Sequence, residues 1–108
     1  MDDPRAVYER LDEFQILDVR EPYEWEAGHI EGAIHAPLAE VMEGRDPGRI
    51  STERPVVVVC RTGNRSELAA LILQARGFDA HNLEGGMEAW ASANLPFAAS
   101  DGSGGRVA

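Results

Sequence analysis

Val56-Val57-Val58-Val59-Cys60-Arg61-Thr62-Gly63-Asn64-Arg65-Ser66 joins an unbroken aliphatic run to a polar, glycine-centred one. Four consecutive β-branched residues show no polar alternation, which predicts a strand buried on both faces inside a parallel sheet. Pro55 marks its start. From Ser66 onward the apolar positions are Leu68, Leu71, Ile72 and Ala75, a helical spacing, and Gly77 is placed to end that helix as a left-handed cap. The unit is strand, loop, helix. Cys60 therefore falls at the C-terminal edge of the sheet, the side on which open α/β sheets bind ligands.

Five residues, Arg61 to Arg65, are expected to turn the chain from strand into helix, and Gly63 and Asn64 are the types that tolerate unusual backbone angles. A loop this tight can aim several N–H groups inward as an anion-binding nest, and the following helix adds its positive end. Arg61 and Arg65 add two cations. All of these favour thiolate over thiol, so the pKa of Cys60 is expected to be depressed and its sulfur nucleophilic near neutral pH. A cysteine ending an apolar strand is ordinarily an inert small hydrophobe. That reading gives two arginines and a glycine-centred loop no purpose beside a thiol. The nucleophilic reading has two requirements, inward-facing amides and a sulfur open to solvent.

The heptapeptide Cys60-Arg61-Thr62-Gly63-Asn64-Arg65-Ser66 resembles the active-site loop of the rhodanese (thiosulfate sulfurtransferase) family. Asp18-Val19-Arg20-Glu21 with Gly28-His29-Ile30-Glu31-Gly32-Ala33 resembles its N-terminal signature, and Glu84-Gly85-Gly86-Met87 with Trp90 its C-terminal one. The three stand in the family's order and span residues 5 to 97 approximately. Strands alternating with helices over this length predict an α/β sandwich. The resemblance implies the rhodanese-like version of it, three layers with a central, mostly parallel sheet and helices on both faces, as a single domain over residues 1–97.

The resemblance also implies a sulfurtransferase. Cys60 thiolate would attack the outer sulfur of thiosulfate or a similar donor, release sulfite, and hold the sulfur as a persulfide until cyanide or a thiol acceptor removes it. Loop N–H groups are expected to stabilise the persulfide, Arg61 and Arg65 to hold the donor's sulfonate oxygens, and Thr62 to add a hydroxyl. Asp18 and Arg20, two residues apart beyond a strand, are expected to pair as structural support. Two other classes compete. Phosphatases and arsenate reductases place an Arg six residues after the Cys, but here that position is Ser66 and the Arg comes one earlier, at Arg65. The smaller ring of donors suits sulfur better than phosphate, and no general acid is identified. A binding or carrier module would use the same persulfide and differ in turnover with small donors.

Composition narrows the partners. The chain has 108 residues, 44% of them hydrophobic, enough for one core. Its single cysteine forms no internal disulfide and leaves no resolving thiol, so sulfur on Cys60 must leave to an external acceptor, a small molecule or a thiol protein. A formal net charge of −9 argues against nucleic acid and anionic membrane. A reactive free thiol, and no signal-like stretch at Met1-Asp2-Asp3-Pro4, lead us to expect a cytoplasmic monomer that uses no cofactor.

In chain order, Asp3-Pro4 predicts a helix running to about Asp12, with Val7, Tyr8 and Leu11 on one face. A strand over Phe14–Val19 follows, then a short helix opened by Glu21-Pro22 and closed by Gly28. Ala33–Ala36 predicts a short strand, Leu38–Glu43 a helix, and Gly44–Arg54 a polar connection with a turn near Ile50. His29 reads as structural, and His35 and His81 as standing apart from any carboxylate cluster, so no metal is expected. Asp79–Leu83 predicts the last strand, and Glu84-Gly85-Gly86 a turn near Cys60 into a helix over Met87–Ala93. Residues 98–108 are expected to form a flexible tail, since Ser100–Ala108, with Gly102, Gly104 and Gly105, has almost no apolar content.

Overall fold

The computed structural model describes residues 2–45 and 49–108. Met1 and Asp46, Pro47 and Gly48 of the polar connection lie outside the described residues. Four parallel strands form the sheet in the order β2-β1-β3-β4, with β1 at Gln15–Asp18, β2 at Ile34–His35, β3 at Val56–Val59 and β4 at Ala80–Asn82. The valine run takes one of the two central places, pairing Leu17 with Val58 on one side and His81 with Val57 on the other. All four valines are fully buried. Each such side chain contributes about 1.5–3 kcal/mol of burial free energy.

Because a strand alternates its faces, Val56 and Val58 meet one helical layer and Val57 and Val59 the other. The first layer is α3 (Leu38–Glu43) with α4 (Asn64–Ala75), which supply Val41, Ala69, Ala70 and Leu73 to the core. The second is α1 (Pro4–Glu9) with α5 (Gly86–Ser92), which supply Val7, Met87 and Trp90. A short helix, α2 (Pro22–Ala27), follows β1 at the C-terminal edge of the sheet. The expected three-layer α/β sandwich is therefore observed, with every strand pair parallel. No helix among the described residues is long and apolar enough to cross a membrane.

Several boundaries differ from expectation. Asp3 caps α1 through Oδ2 as predicted, but the helix stops at Glu9 and Leu11–Glu13 forms a 3-10 turn instead. α4 starts at Asn64, so Asn64 and Arg65 are helical and the loop is shorter than five residues. The buried face of α4 is also not the expected one. Ser66, Ala69, Ala70 and Leu73 face inward, while Leu68 and Leu71 are 45% and 56% exposed. The inward set has its own i, i+3, i+4, i+7 spacing, and its small residues let the helix lie close against β3 and β4. Gly77 ends α4 in the left-handed region, with Phe78 N–H reaching back to the Leu73 carbonyl.

The segment expected to be a tail lies against the α2–β2 connection. Ala98 bridges His29 and Gly104, the Arg106 N–H donates to the Ala27 carbonyl, and Val107 packs on the α1/α5 core. His81 is not apart from carboxylates: its Nδ1 lies 3.2 Å from Asp2 and its Nε2 2.8 Å from Asp79.

Candidate active site

β3 ends at Val59, and the C-terminal ends of β1 and β4 stand on either side of it. Cys60 is the next residue, and its sulfur accepts hydrogen bonds from Gly63 N–H at 3.0 Å and from the Ser66 hydroxyl at 3.2 Å. Gly63 makes this possible by adopting φ 106°, which turns its amide back toward the sulfur and caps α4. Asn64, which was expected to share that backbone freedom, has none to supply once it is helical. Burial pushes the Cys60 thiol up, but hydrogen bonds from the Ser66 hydroxyl and from the amides of Ser66, Gly63 and Thr62 outweigh it, and the net pKa is lowered. The expected inward amides and depressed pKa are both present.

The second requirement is not met. Cys60 is 1% exposed and belongs to the α3/α4 core. The sulfur lies on the floor of its cradle, covered by the loop that donates to it. A donor can reach it only by parting the residues above.

The cations also stand elsewhere than expected. Arg65 makes a two-pronged ion pair with Glu24 of α2, Nη1 to Oε1 at 2.8 Å and Nη2 to Oε2 at 2.9 Å. The Glu24 side chain is 3% exposed and that of Arg65 36%. Arg61 turns away to Glu88 of α5, with Nε 3.0 Å from the carboxylate and both side chains half-exposed. Thr62 is exposed, so its amide rather than its hydroxyl is what serves the sulfur. Both arginines are thus engaged by carboxylates, Arg65 through both Nη groups and Arg61 through Nε alone. A basic residue draws an acidic partner wherever the fold places one within reach, which the heptapeptide alone does not reveal.

Three pieces of chain outside the heptapeptide complete the site: Asn82, the Gly85-Gly86 pair and Glu24. Asn82, at the end of β4, accepts a hydrogen bond from the Ser66 hydroxyl through Oδ1 and donates through Nδ2 to the Gly63 carbonyl at 3.1 Å. The glycine pair does approach Cys60, as expected, but to meet backbone rather than ligand. Met87 N–H donates to the Cys60 carbonyl and Glu88 N–H to the Arg61 carbonyl, at 2.8 and 3.0 Å. A Cβ on Gly86 would stand 2.4 Å from the Cys60 oxygen. Glu24 is the third. Its capping box with Glu21 is a local signal that marks the carboxylate as serving α2, and only the fold adds Arg65 to it.

Asp18 and Arg20 form the expected buried pair beneath α2. Arg20 Nε and Nη2 donate to the Asp18 carboxylate at 2.7–3.1 Å, and Nη2 also reaches the Gly28 carbonyl at 2.7 Å. His35 donates to the Arg20 carbonyl, His29 to that of Trp25, and the Trp25 indole is stacked between the two imidazoles. These contacts fix α2 and so aim Glu24 at the loop. An apolar hollow of about 370 Å³ between Tyr8, Leu11, Ile30 and Phe97 includes none of the loop residues.

A family model described as "Rhodanese-like domain" matches residues 3–93. The chain is 36% identical over 97 residues to the probable adenylyltransferase/sulfurtransferase MoeZ of Mycobacterium tuberculosis, covering 86% of this chain and 25% of MoeZ. It is 40% identical over 87 residues to the uncharacterized protein YqhL of Bacillus subtilis, covering 80% of this chain and 65% of YqhL. The chain thus spans a quarter of MoeZ and just under two thirds of YqhL. Among solved structures, a rhodanese-related protein from Thermoplasma volcanium superposes with a TM-score of 0.83 at 30% identity, over 89% of this chain and 94% of the other. A rhodanese homolog from Thermus thermophilus superposes at 0.67 with 31% identity, over 82% and 97%. With a sulfur cradled between β3 and α4 and a matching pattern that runs from the first helix to the last, the chain belongs to the rhodanese-like domain family.

Proposed function

We propose that the protein is a sulfurtransferase that carries a sulfane sulfur as a persulfide on Cys60, taking it from thiosulfate or a similar donor and passing it to cyanide or a thiol. The observation that carries the reading is the pair of hydrogen bonds from Gly63 N–H and Ser66 O–H onto Cys60 Sγ, at the start of a twelve-residue helix. Donors arranged this way stabilise a sulfur anion, whether thiolate or persulfide. Thiolate attack on the donor's outer sulfur forms the Cys60 Sγ–S bond and breaks the donor's S–S bond, whose electron pair departs with the leaving group. An acceptor nucleophile then removes the outer sulfur and restores the thiolate. No second cysteine exists in this chain to resolve the persulfide, so the acceptor comes from outside it.

Intact mass after incubation with a sulfane donor tests the reading. The wild type gains the mass of one sulfur atom, loses it on adding cyanide with formation of thiocyanate, and Cys60→Ser does neither. A wild type that stays unmodified with both thiosulfate and a hydropersulfide, while remaining alkylatable at Cys60, would overturn it.

A further inference from the structure

Both cations of the cysteine loop already have anionic partners. Glu24 occupies Nη1 and Nη2 of Arg65, and it is itself fixed by accepting the Glu21 N–H at 2.9 Å. Glu88 occupies Arg61. The guanidinium charges are largely offset by their partners, so the hydrogen bonds from Gly63 and Ser66, rather than a free cation, do most to offset the Cys60 thiolate in a chain whose formal net charge is −9. A nearly buried carboxylate that grips a guanidinium with both oxygens is not given up easily to a competing sulfonate, because its own charge would then be left unpaired.

From this arrangement we infer that Glu24 is a specificity-determining residue, which by claiming Arg65 sets the site against dianionic thiosulfate and in favour of low-charge hydropersulfides of small thiols. The inference rests on the sulfurtransferase reading above and names the donor class of the same site. Thiosulfate brings two negative charges and leaves as sulfite. A hydropersulfide R–S–SH brings at most one at its sulfur end. Attack by Cys60 thiolate forms Cys60 S–SH and breaks the R–S–S bond, and the thiolate RS⁻ that leaves takes a proton from solvent. No oxidant or reductant is needed. Field effects of a charged cleft on a charged substrate commonly reach 10–1000-fold. Glu24 acts through Arg65 and is a positioning residue.

Steady-state and stopped-flow transfer from thiosulfate and from cysteine hydropersulfide, with the same thiol acceptor, tests it. In the wild type kcat/KM is expected to be about 100-fold higher for the hydropersulfide. Glu24→Gln frees the Arg65 charge, and the thiosulfate-to-hydropersulfide ratio should rise about tenfold through KM for thiosulfate. Ionic strength supplies a readout that needs no variant. Raising KCl should increase wild-type kcat/KM for thiosulfate if the site repels it, and decrease it if a free arginine attracts it. Equal use of the two donors, a falling salt profile, or an unchanged donor ratio in folded Glu24→Gln would each overturn the inference while leaving sulfur transfer intact. Failure to load sulfur from either donor would instead end the sulfurtransferase reading.

Discussion

Ser66 and Asn82 share a hydrogen bond from Oγ to Oδ1 at 2.5 Å, and the same hydroxyl lies 3.2 Å from Cys60 Sγ. A hydroxyl has one proton to give. With the thiol, that proton can rest on Asn82; with the thiolate, it turns to the sulfur. Asn82 is therefore a competitor for the hydrogen bond that stabilises the anion, as well as an anchor for the Gly63 carbonyl.

Two different substitutions around this hydroxyl should both disfavour the thiolate. Ser66→Ala removes a charge-assisted hydrogen bond of about 1.5–3 kcal/mol. The Cys60 pKa should rise by about one to two units. Asn82→Asp should raise it as well, by placing a like charge behind Ser66. The pH dependence of alkylation by iodoacetamide reports both. The wild-type midpoint should lie below the ordinary cysteine value of about 8.5, with a slow limiting rate because the sulfur is covered.

Gly86→Ala should be among the costliest single-methyl changes in the chain. The new Cβ would meet the Cys60 carbonyl oxygen at 2.4 Å and the Arg61 carbonyl at 2.6 Å, at a φ of 61°. Overpacking against backbone and left-handed strain together cost roughly 2–5 kcal/mol. Gly32→Ala, whose φ is 84° but which has nothing within 4 Å, carries the strain alone and serves as the control at about 1–2 kcal/mol. Urea unfolding separates the two.

The Glu24–Arg65 pair should make part of the stability depend on acid. Hydrogen bonds from Arg65 hold the Glu24 carboxyl below the usual glutamate range, against burial, which acts the other way. A depressed folded pKa means that the contribution is complete above the unfolded value of about 4.3 and is lost as pH falls through the lower folded value. Glu24→Gln should cost about 1–2 kcal/mol at pH 7, a figure kept low because Arg65 is partly exposed. The difference from wild type should shrink as pH falls through the depressed folded pKa of Glu24. A gap that stays the same as pH falls would mean the charge contributes nothing.

On α4, Leu68→Lys and Leu71→Lys should each change stability by less than about 0.5 kcal/mol, since both side chains are exposed. Leu73→Ala, by contrast, should cost about 2–5 kcal/mol. Thermal or chemical unfolding of the three variants distinguishes the buried face from the one that hydrophobicity alone suggests.

Much of the scaffold was readable because its signals are local. Val56–Val59, the Asp3-Pro4 cap, the Glu21-Pro22 start and Gly77 each act within one turn or one strand, and each appears where expected. The helical face of α4 was misread because two interleaved apolar sets have the same period, and only packing against β3 and β4 selects between them. At the site, the sulfur and its amides were legible from one heptapeptide, whereas Glu24, Glu88 and Asn82 are brought in by α2, α5 and β4. Their partnerships span long stretches of chain and leave no pattern in it. Coverage of the sulfur was illegible for a similar reason, since enclosure is a property of the assembled loop.

The carbonyls of Cys60 and Arg61 point into the first turn of α5, where Met87 and Glu88 accept no alternative arrangement because their own N–H groups are committed there. A peptide plane whose oxygen is pinned on one side must present its N–H on the other. Transplanting the cysteine heptapeptide alone onto another strand–helix junction would thus leave those planes free to flip, and the resulting thiol would behave like any other; the Gly85-Gly86 corner has to travel with it.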